Sequence, residues 1–331
     1  MTALAARLNT VALDAPPHGG RWGDGCLHVF LDVGANIGVQ TRKLFEPHAY
    51  EQRSTSRDGA YTVSTHGFSW LDAFNRSFGV THRHRVCAFA FEANERHTPR
   101  LRNLQACYAR RGMRAAFFTE TAAADVDGNL TFFRDPVGAA KQEWAASVMR
   151  HGKRGSSMPA RAVAAVDLAA WIQRHIVQRQ IPSSTSVAGR HGGTTAIPQI
   201  LMKLDIEGAE FRVLPKMLDM GLLCNADSSR RISKLALEWH FWDRESGMKV
   251  LGCQHHDTKR CMKDLRDRLV AQQAAERSDC TQLVEADDDS FMNDSPLALD
   301  PQTCTHSAPA PDNGTDRFDN GLGGHTYRPE E

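Results

Sequence analysis

The chain lacks what would mark a membrane, nucleic-acid or disulfide-framework protein. No apolar stretch approaches the roughly 20 residues that a spanning helix needs. Neither sign of charge dominates, since 40 Lys and Arg against 39 Asp and Glu leave +1. No global field therefore draws in nucleic acid or acidic lipid. Eight cysteines in 331 residues are too scattered for a disulfide scaffold. Cys87, Cys107 and Cys224 sit inside apolar patterns and read as reduced core thiols. Cys253 and Cys261, with His255 and His256 between them, lack the close cysteine spacing of a zinc site. A polar loop leading into a helix is the expectation there, and no residue is assigned as a metal ligand. The opening MTALAARLNTVALDAPPHGG has no continuous apolar core, which argues against a secretory signal. Its shortage of acids is compatible with an organelle-targeting leader, but a cytoplasmic protein is the expectation. With 41% hydrophobic and 24% charged residues, the composition is that of a globular chain.

What is present is a repeated pattern of buried strand and amphipathic helix. Leu27–Asp32, Val86–Glu92, Ile200–Asp205 and Lys234–Glu238 are short apolar runs of the kind found in sheets covered on both faces, and each stops on an acid. A further strand is expected at Arg114–Thr119 and a late one at TQLVEA. Helices are expected over Gly38–Phe45, Asp167–Gln178 and Lys263–Arg277. In HTPRLRNLQACYARRG, Thr98 can cap, Pro99 suits the first turn, Leu101, Leu104 and Tyr108 share a face, and Gly112 stops the helix. Another helix runs from about Gly208 to Met220, with Pro215 expected to kink or split it. Asp127-Gly128 introduces the alternating Asn129–Arg134 as a hairpin turn would. The aromatics of FSWLDAFNRSFG fall at helical spacing and read as a small helix covering a core edge. Residues 1–26 form an irregular leader, 27–285 one domain with insertions near 48–83 and 135–160, and 286–331 an irregular tail. The second insertion carries Arg150, Lys153 and Arg154, read as a solvated loop.

Alternation of this type predicts an α/β fold with a parallel, doubly wound sheet, whose ligands sit outside the carboxyl ends of the strands. Four acids at that edge need partners, because uncompensated burial of charge is costly. After the first strand, Gly34 and Gly38 bare the backbone for a ligand. Glu92, ending the next strand, can accept hydrogen bonds from both hydroxyls of a ribose. An adenosine-containing cofactor across these two strands is the expectation. The dinucleotide pattern G-x-G-x-x-G is not met; the spacing is D-x-G-x-N-x-G. Asp32 would repel a pyrophosphate but suits the ammonium of a methionyl group.

Asp32-Val-Gly-Ala-Asn-Ile-Gly38, Ala90-Phe-Glu-Ala-Asn94, Lys203-Leu-Asp-Ile-Glu-Gly-Ala-Glu210 and Leu237-Glu-Trp-His240 together resemble the successive motifs of the FkbM-type methyltransferases. The resemblance implies a Rossmann-like class I sheet, mostly parallel with its last strand antiparallel. It also implies S-adenosylmethionine as cofactor and O-methylation of a hydroxyl on a sugar or small metabolite, so a small-molecule or carbohydrate acceptor. On this reading Asp32, Gly34, Asn36 and Gly38 hold the methionyl end, Glu92 the ribose, and Asn94 supports that loop, while Ala124 and Asp125 lie near the adenine. Asp205, Glu238 and His240 are the leading candidates for the general base, with Glu207 beside them. Alternatively, Glu207 and Glu210 support the start of the next helix. Lys203 is expected to pair with one of the acids, and the pair Asp205 with Glu238 could hold Mg2+ through oxygen ligands. The rivals are a catalytically inactive adenosine-binding module and an NAD-linked oxidoreductase.

Overall fold

The computed structural model describes residues 20–51, 68–79, 85–134, 146–148, 159–182, 197–240, 258–274 and 280–286, and residue 16. Most of both insertions, Arg150, Lys153, Arg154, Cys253 and the tail beyond 286 lie outside the described residues. The strands are β1 (His28–Val33), β2 (Val86–Glu92), β3 (Arg114–Thr119), β4 (Thr121–Ala124), β5 (Gly128–Phe133), β6 (Ala160–Asp167), β7 (Ile200–Leu204), β8 (Lys234–Leu237) and β9 (Gln282–Glu285). The helices are α1 (Val39–Phe45), α2 (Pro47–Glu51), α3 (Trp70–Phe78), α4 (Thr98–Arg110), α5 (Leu168–Ile172, continued by a π turn to Val177), α6 (Glu210–Asp219) and α7 (Thr258–Ala274).

Six strands form one sheet in the order β3-β2-β1-β7-β8-β9, and every pairing in it is parallel. The antiparallel last strand expected from the resemblance is not found among the described residues, because β9 runs parallel to β8. β1, β2 and β7 are buried throughout, as strands covered on both faces must be. Alternate residues of β1 feed two cores. Val29, Leu31 and Val33 pack with Trp171, Phe211, Val213 and Leu214, while Phe30 packs with Trp70, Phe74, Leu101 and Leu104 on the opposite face. The aromatic stripe of α3 belongs to the second core, where Trp70 and Phe74 meet the Phe30 ring edge-on at 5.4 and 4.9 Å. Burial of each such ring contributes on the order of 1.5–3 kcal/mol. Ser69 caps this helix by accepting from the Asp72 N–H at 3.3 Å.

Several local expectations need correction. Asp127-Gly128 does not close a hairpin between β4 and β5. The two strands flank β6 in a separate three-stranded sheet, β4-β6-β5, with β4 parallel and β5 antiparallel to it. Pro215 lies inside an unbroken α6. The missing N–H removes one hydrogen bond, but Phe211, Val213, Leu214 and Met217, each 1% exposed or less, anchor the helix on the core. Cys87, Cys107 and Cys224 are not the reduced core thiols expected. Cys26 bonds Cys87, Cys224 bonds Cys280, and Cys107 is disulfide-bonded too. No described cysteine is free. The first bridge ties the turn before β1, where the Cys26 N–H donates to the Gly23 carbonyl, to β2, where Cys87 pairs with Val29. Such bridges form and persist in oxidising surroundings, whereas the cytosol expected from the sequence keeps thiols reduced. No described helix is long and apolar enough to cross a membrane.

Candidate functional site

The strand order reverses between β1 and β7, which is where open α/β sheets bind ligands. A crevice lies there, lined by Gly34, Asn36, Glu92, Asp205, Glu207 and Glu238 among others. Its walls come from the turns after β1, β2, β7 and β8 and from the small sheet.

Glu92 ends β2 and faces this crevice. Its Oε2 accepts from the Asn36 N–H at 2.6 Å and its Oε1 from the Asn94 N–H at 2.7 Å. A carboxylate has about four acceptor sites, so one on each oxygen remains for a ligand. Asn36 can present its N–H because it adopts a left-handed conformation, φ 49°, which Asn tolerates better than most residues. Asn94 is buried, and its Oδ1 accepts from the Arg96 N–H at 3.1 Å, which fixes the loop. Burial raises the Glu92 pKa to about 7 against the pull of these two N–H donors.

Asp32 is placed differently from the sequence-based expectation. It is fully buried and not among the residues that line the crevice. Its Oδ2 accepts from the Thr41 hydroxyl at 2.8 Å and from the Thr41 N–H at 3.2 Å, so it anchors α1 under the glycine turn. Burial raises its pKa, with Lys203 pulling the other way. The glycines also make room for the protein rather than only for a ligand. Gly34, φ 80°, lines the crevice, yet a Cβ there would stand 1.6 Å from the Asp205 carbonyl oxygen. Gly38, φ 82°, admits Leu104, which a Cβ would meet at 2.8 Å, and does not line the crevice.

The opposite wall is strongly acidic. Asp205, Glu207 and Glu238 line it, and His240, 1% exposed, lies behind them. His240 Nε2 stands 3.3 Å from Glu238 Oε1, 3.5 Å from Glu207 Oε2 and 3.6 Å from Asp205 Oδ1. On the other side of the ring, Nδ1 is 2.7 Å from Glu210 Oε1. Glu210 also accepts from the Ile206 and Gly208 N–H groups, at 2.9 and 2.8 Å, so it supports the turn into α6 as expected. Glu207 does not share that role. Its φ of 55° is uncommon for a residue with a long side chain, and it turns its carboxylate into the wall. Lys203 bridges the two sides, donating to the Gly34 carbonyl at 2.7 Å and to Asp205 Oδ2 at 2.8 Å. Burial works to lower the Lys203 pKa, but Asp205 and Asp32 outweigh it and the net shift is upward. Burial likewise opposes the charge on His240, yet Glu210 and Glu207 carry its pKa well up. Burial raises Glu207, against the attraction of His240. The Lys203 and His240 shifts express one condition: carboxylates outnumber cations here, and positive charge is favoured.

Ala124 and Asp125 are not brought to the crevice. Residues 121–124 form β4 instead of a loop, and Thr121, Ala122 and Ala123 line the pocket in their stead. Asp125 is turned away toward α6, paired with Arg212 at 2.9 Å, while its carbonyl accepts from Lys216 at 2.7 Å. Sequence reasoning missed Ser147, whose hydroxyl donates to the Glu207 carbonyl at 2.7 Å and whose backbone pairs with Phe133. It sits within a polar, basic stretch with no strand periodicity, so no signal pointed to it.

The fold and site thus define a Rossmann-like α/β protein with a ligand crevice at the switch point. No family model, no curated protein and no solved structure matches the chain.

Proposed function

We propose that the crevice binds S-adenosylmethionine and that the protein transfers its methyl group to a hydroxyl of a small-molecule or carbohydrate acceptor. The observation that carries this reading is Glu92, which faces one end of a crevice whose other end is walled by Asp205, Glu207 and Glu238. Glu92 keeps two acceptor positions that suit the paired hydroxyls of a ribose. The ordered motifs that resemble FkbM-type methyltransferases converge on this one crevice.

A bound sulfonium supplies an already activated methyl carbon, with the thioether as leaving group. The chain must align the acceptor oxygen and remove its proton as the new O–C bond forms. Asp205 and Glu238 reach the crevice directly and are the groups for proton removal. His240 lies behind them and acts through them by holding their charge in place. Lys203 keeps Asp205 aimed while bracing the turn at Gly34.

The second reading is an NAD-linked enzyme, favoured by the strand order, which is also that of dinucleotide folds. Calorimetry with S-adenosylmethionine and with NAD separates the two. The expected result is S-adenosylmethionine binding with a Kd of about 1–100 μM, about −8 to −5 kcal/mol, followed by S-adenosylhomocysteine release on a panel of hydroxylated acceptors. Binding of NAD alone overturns the proposal. Binding without turnover on any acceptor supports an inactive adenosine-binding module instead.

A further inference from the structure

Cys107, buried in α4 and 1% exposed, is disulfide-bonded. Cys26 is taken by Cys87 and Cys224 by Cys280, so of the eight cysteines its partner is Cys253, Cys261 or Cys304. Topology separates the three. α4 packs on β3 and sends Leu101 and Leu104 into the core that holds Phe30. α7, which contains Cys261, packs on β9 at the other end of the strand order and sends Leu265 and Leu269 into the core on the opposite face. Five strand spacings of about 4.8 Å put β3 and β9 about 24 Å apart, whereas the Cα atoms of a disulfide lie about 4–7 Å apart. Cys261 is out of reach. Cys253 precedes α7 by five residues, an extended length of about 17 Å that falls short of the sheet's width before its other face is reached.

Cys304 is left, and the exit of the chain from β9 favours it. Ala286, which follows that strand, is buried in the same core as Leu101, Leu104 and Phe30, so the chain departs on the face that carries α4. Cys304 lies 18 residues further on, with an extended reach of about 60 Å. Charge agrees. From Arg96 to Thr119 the chain carries six arginines and no acid, and Arg96, Arg102, Arg110 and Arg111 are exposed along α4 and its flanks. Residues 287–304, which lie outside the described residues, carry five aspartates and neither lysine nor arginine. One of those arginines stands at the sulfur itself, with Arg110 Nη2 3.4 Å from Cys107 Sγ.

We propose that the face of α4 is a docking surface for residues 287–304 of the same chain, that their aspartates meet its arginines, and that a Cys107–Cys304 disulfide fastens them there. The segment thereby joins the β9 edge of the sheet to the β3 edge. The bond forms as the two thiols pass two electrons and two protons to a partner disulfide, that of an oxidoreductase or of oxidised glutathione. Cys107 follows the crevice-lining His97 by ten residues, a rise of about 15 Å along a helix. The clasp is therefore remote from the crevice and independent of the methyl-transfer reading.

Non-reducing peptide mapping of the full chain by mass spectrometry reads the connectivity. A fragment that joins Cys107 to Cys304 is expected. Cys107 joined to Cys253 or Cys261, or alkylated without reductant, overturns the proposal. Limited digestion with an endoprotease that cleaves beside aspartate reads the docking, with a synthetic peptide of residues 287–304 as the undocked reference. Cleavage within that segment should be at least about tenfold slower in the chain than in the peptide, because a docked segment is cut only from its open population. Equal rates overturn the docking even where the bond is found. In a Cys304→Ser chain, which lacks the clasp, the paired changes Arg102→Glu and Arg110→Glu should speed cleavage severalfold, and 0.5 M salt should do the same to the unreversed chain. Rates that respond to neither overturn the ionic contact. Should the Cys304→Ser chain not fold, the intact chain beside the peptide still decides.

Discussion

Replacement of Glu92 by Gln isolates the charge on which the proposed cofactor recognition rests. In the ligand-free protein, burial holds this carboxyl at about 7, against an ordinary value of 4.5. The folded pKa lies above the unfolded one, so the fold favours the protonated group. That contribution to stability is whole below about pH 4.5 and is lost as pH rises to about 7, a change of about 3 kcal/mol. Ligand affinity runs the other way, because a ribose diol donates to the ionised form. S-adenosylmethionine should therefore bind about tenfold more weakly one pH unit below the Glu92 pKa than on the plateau above it. Glu92→Gln keeps the shape, removes the charge and offers an amide where one backbone N–H needs an acceptor. Loss of two charge-assisted bonds of about 1.5–3 kcal/mol each, partly replaced by neutral ones, should weaken binding about 100-fold and flatten the pH profile. Calorimetry at closely spaced pH values in buffers of matched ionisation heat measures both. A wild-type affinity that is flat between about pH 5.5 and 8, or a glutamine variant with the same slope, refutes the reasoning.

The remaining predictions are more direct. Gly34→Ala places a methyl group 1.6 Å from the Asp205 carbonyl at a left-handed φ; a loss of several kcal/mol in urea unfolding, or no soluble protein, is expected, and an unchanged midpoint would mean the two turns are not in contact. Reduction of the Cys26–Cys87 bridge frees a loop of 61 residues and should cost about 4 kcal/mol, read as a lowered urea midpoint in reductant. Asp205→Asn should cut turnover by about 100- to 1000-fold and change S-adenosylmethionine affinity little; a parallel loss of both would assign Asp205 to binding. Phe74→Ala opens a cavity between α3 and β1 and should destabilise by about 3–5 kcal/mol without altering ligand affinity, measured by thermal or urea unfolding beside calorimetry.

The strands of the main sheet were legible because a parallel strand buried on both faces leaves a run of apolar residues with a sharp end. β2 and β3 fall on the expected residues, and β7 and β8 differ from expectation only by the terminal acid. β6 was missed because its ARAVAAVD is rich in alanine, which has no strand preference, and it adjoins a polar stretch. The acids at the strand ends were legible as a group, but their separate duties were not. Asp32 lies one residue inside the end of β1, opposite Ala90, and holds Thr41, whereas Glu92 is the last residue of β2 and faces the crevice. That difference is one of register, because Glu92 stands two positions further along the paired strands than Asp32. The disulfides were hidden for a similar reason: separations of 61 and 56 residues carry no local signal, and the partners meet only through the pairing of distant strands.

The roof that the small sheet places over the crevice is made largely of single methyl groups, from Ala122, Ala123 and Ala146, with Ala93 beside them. Space in the crevice is thus set in part by what these four positions do not carry. On the proposed reading, the shape of the crevice is carried by different residues from the acids that would do the chemistry.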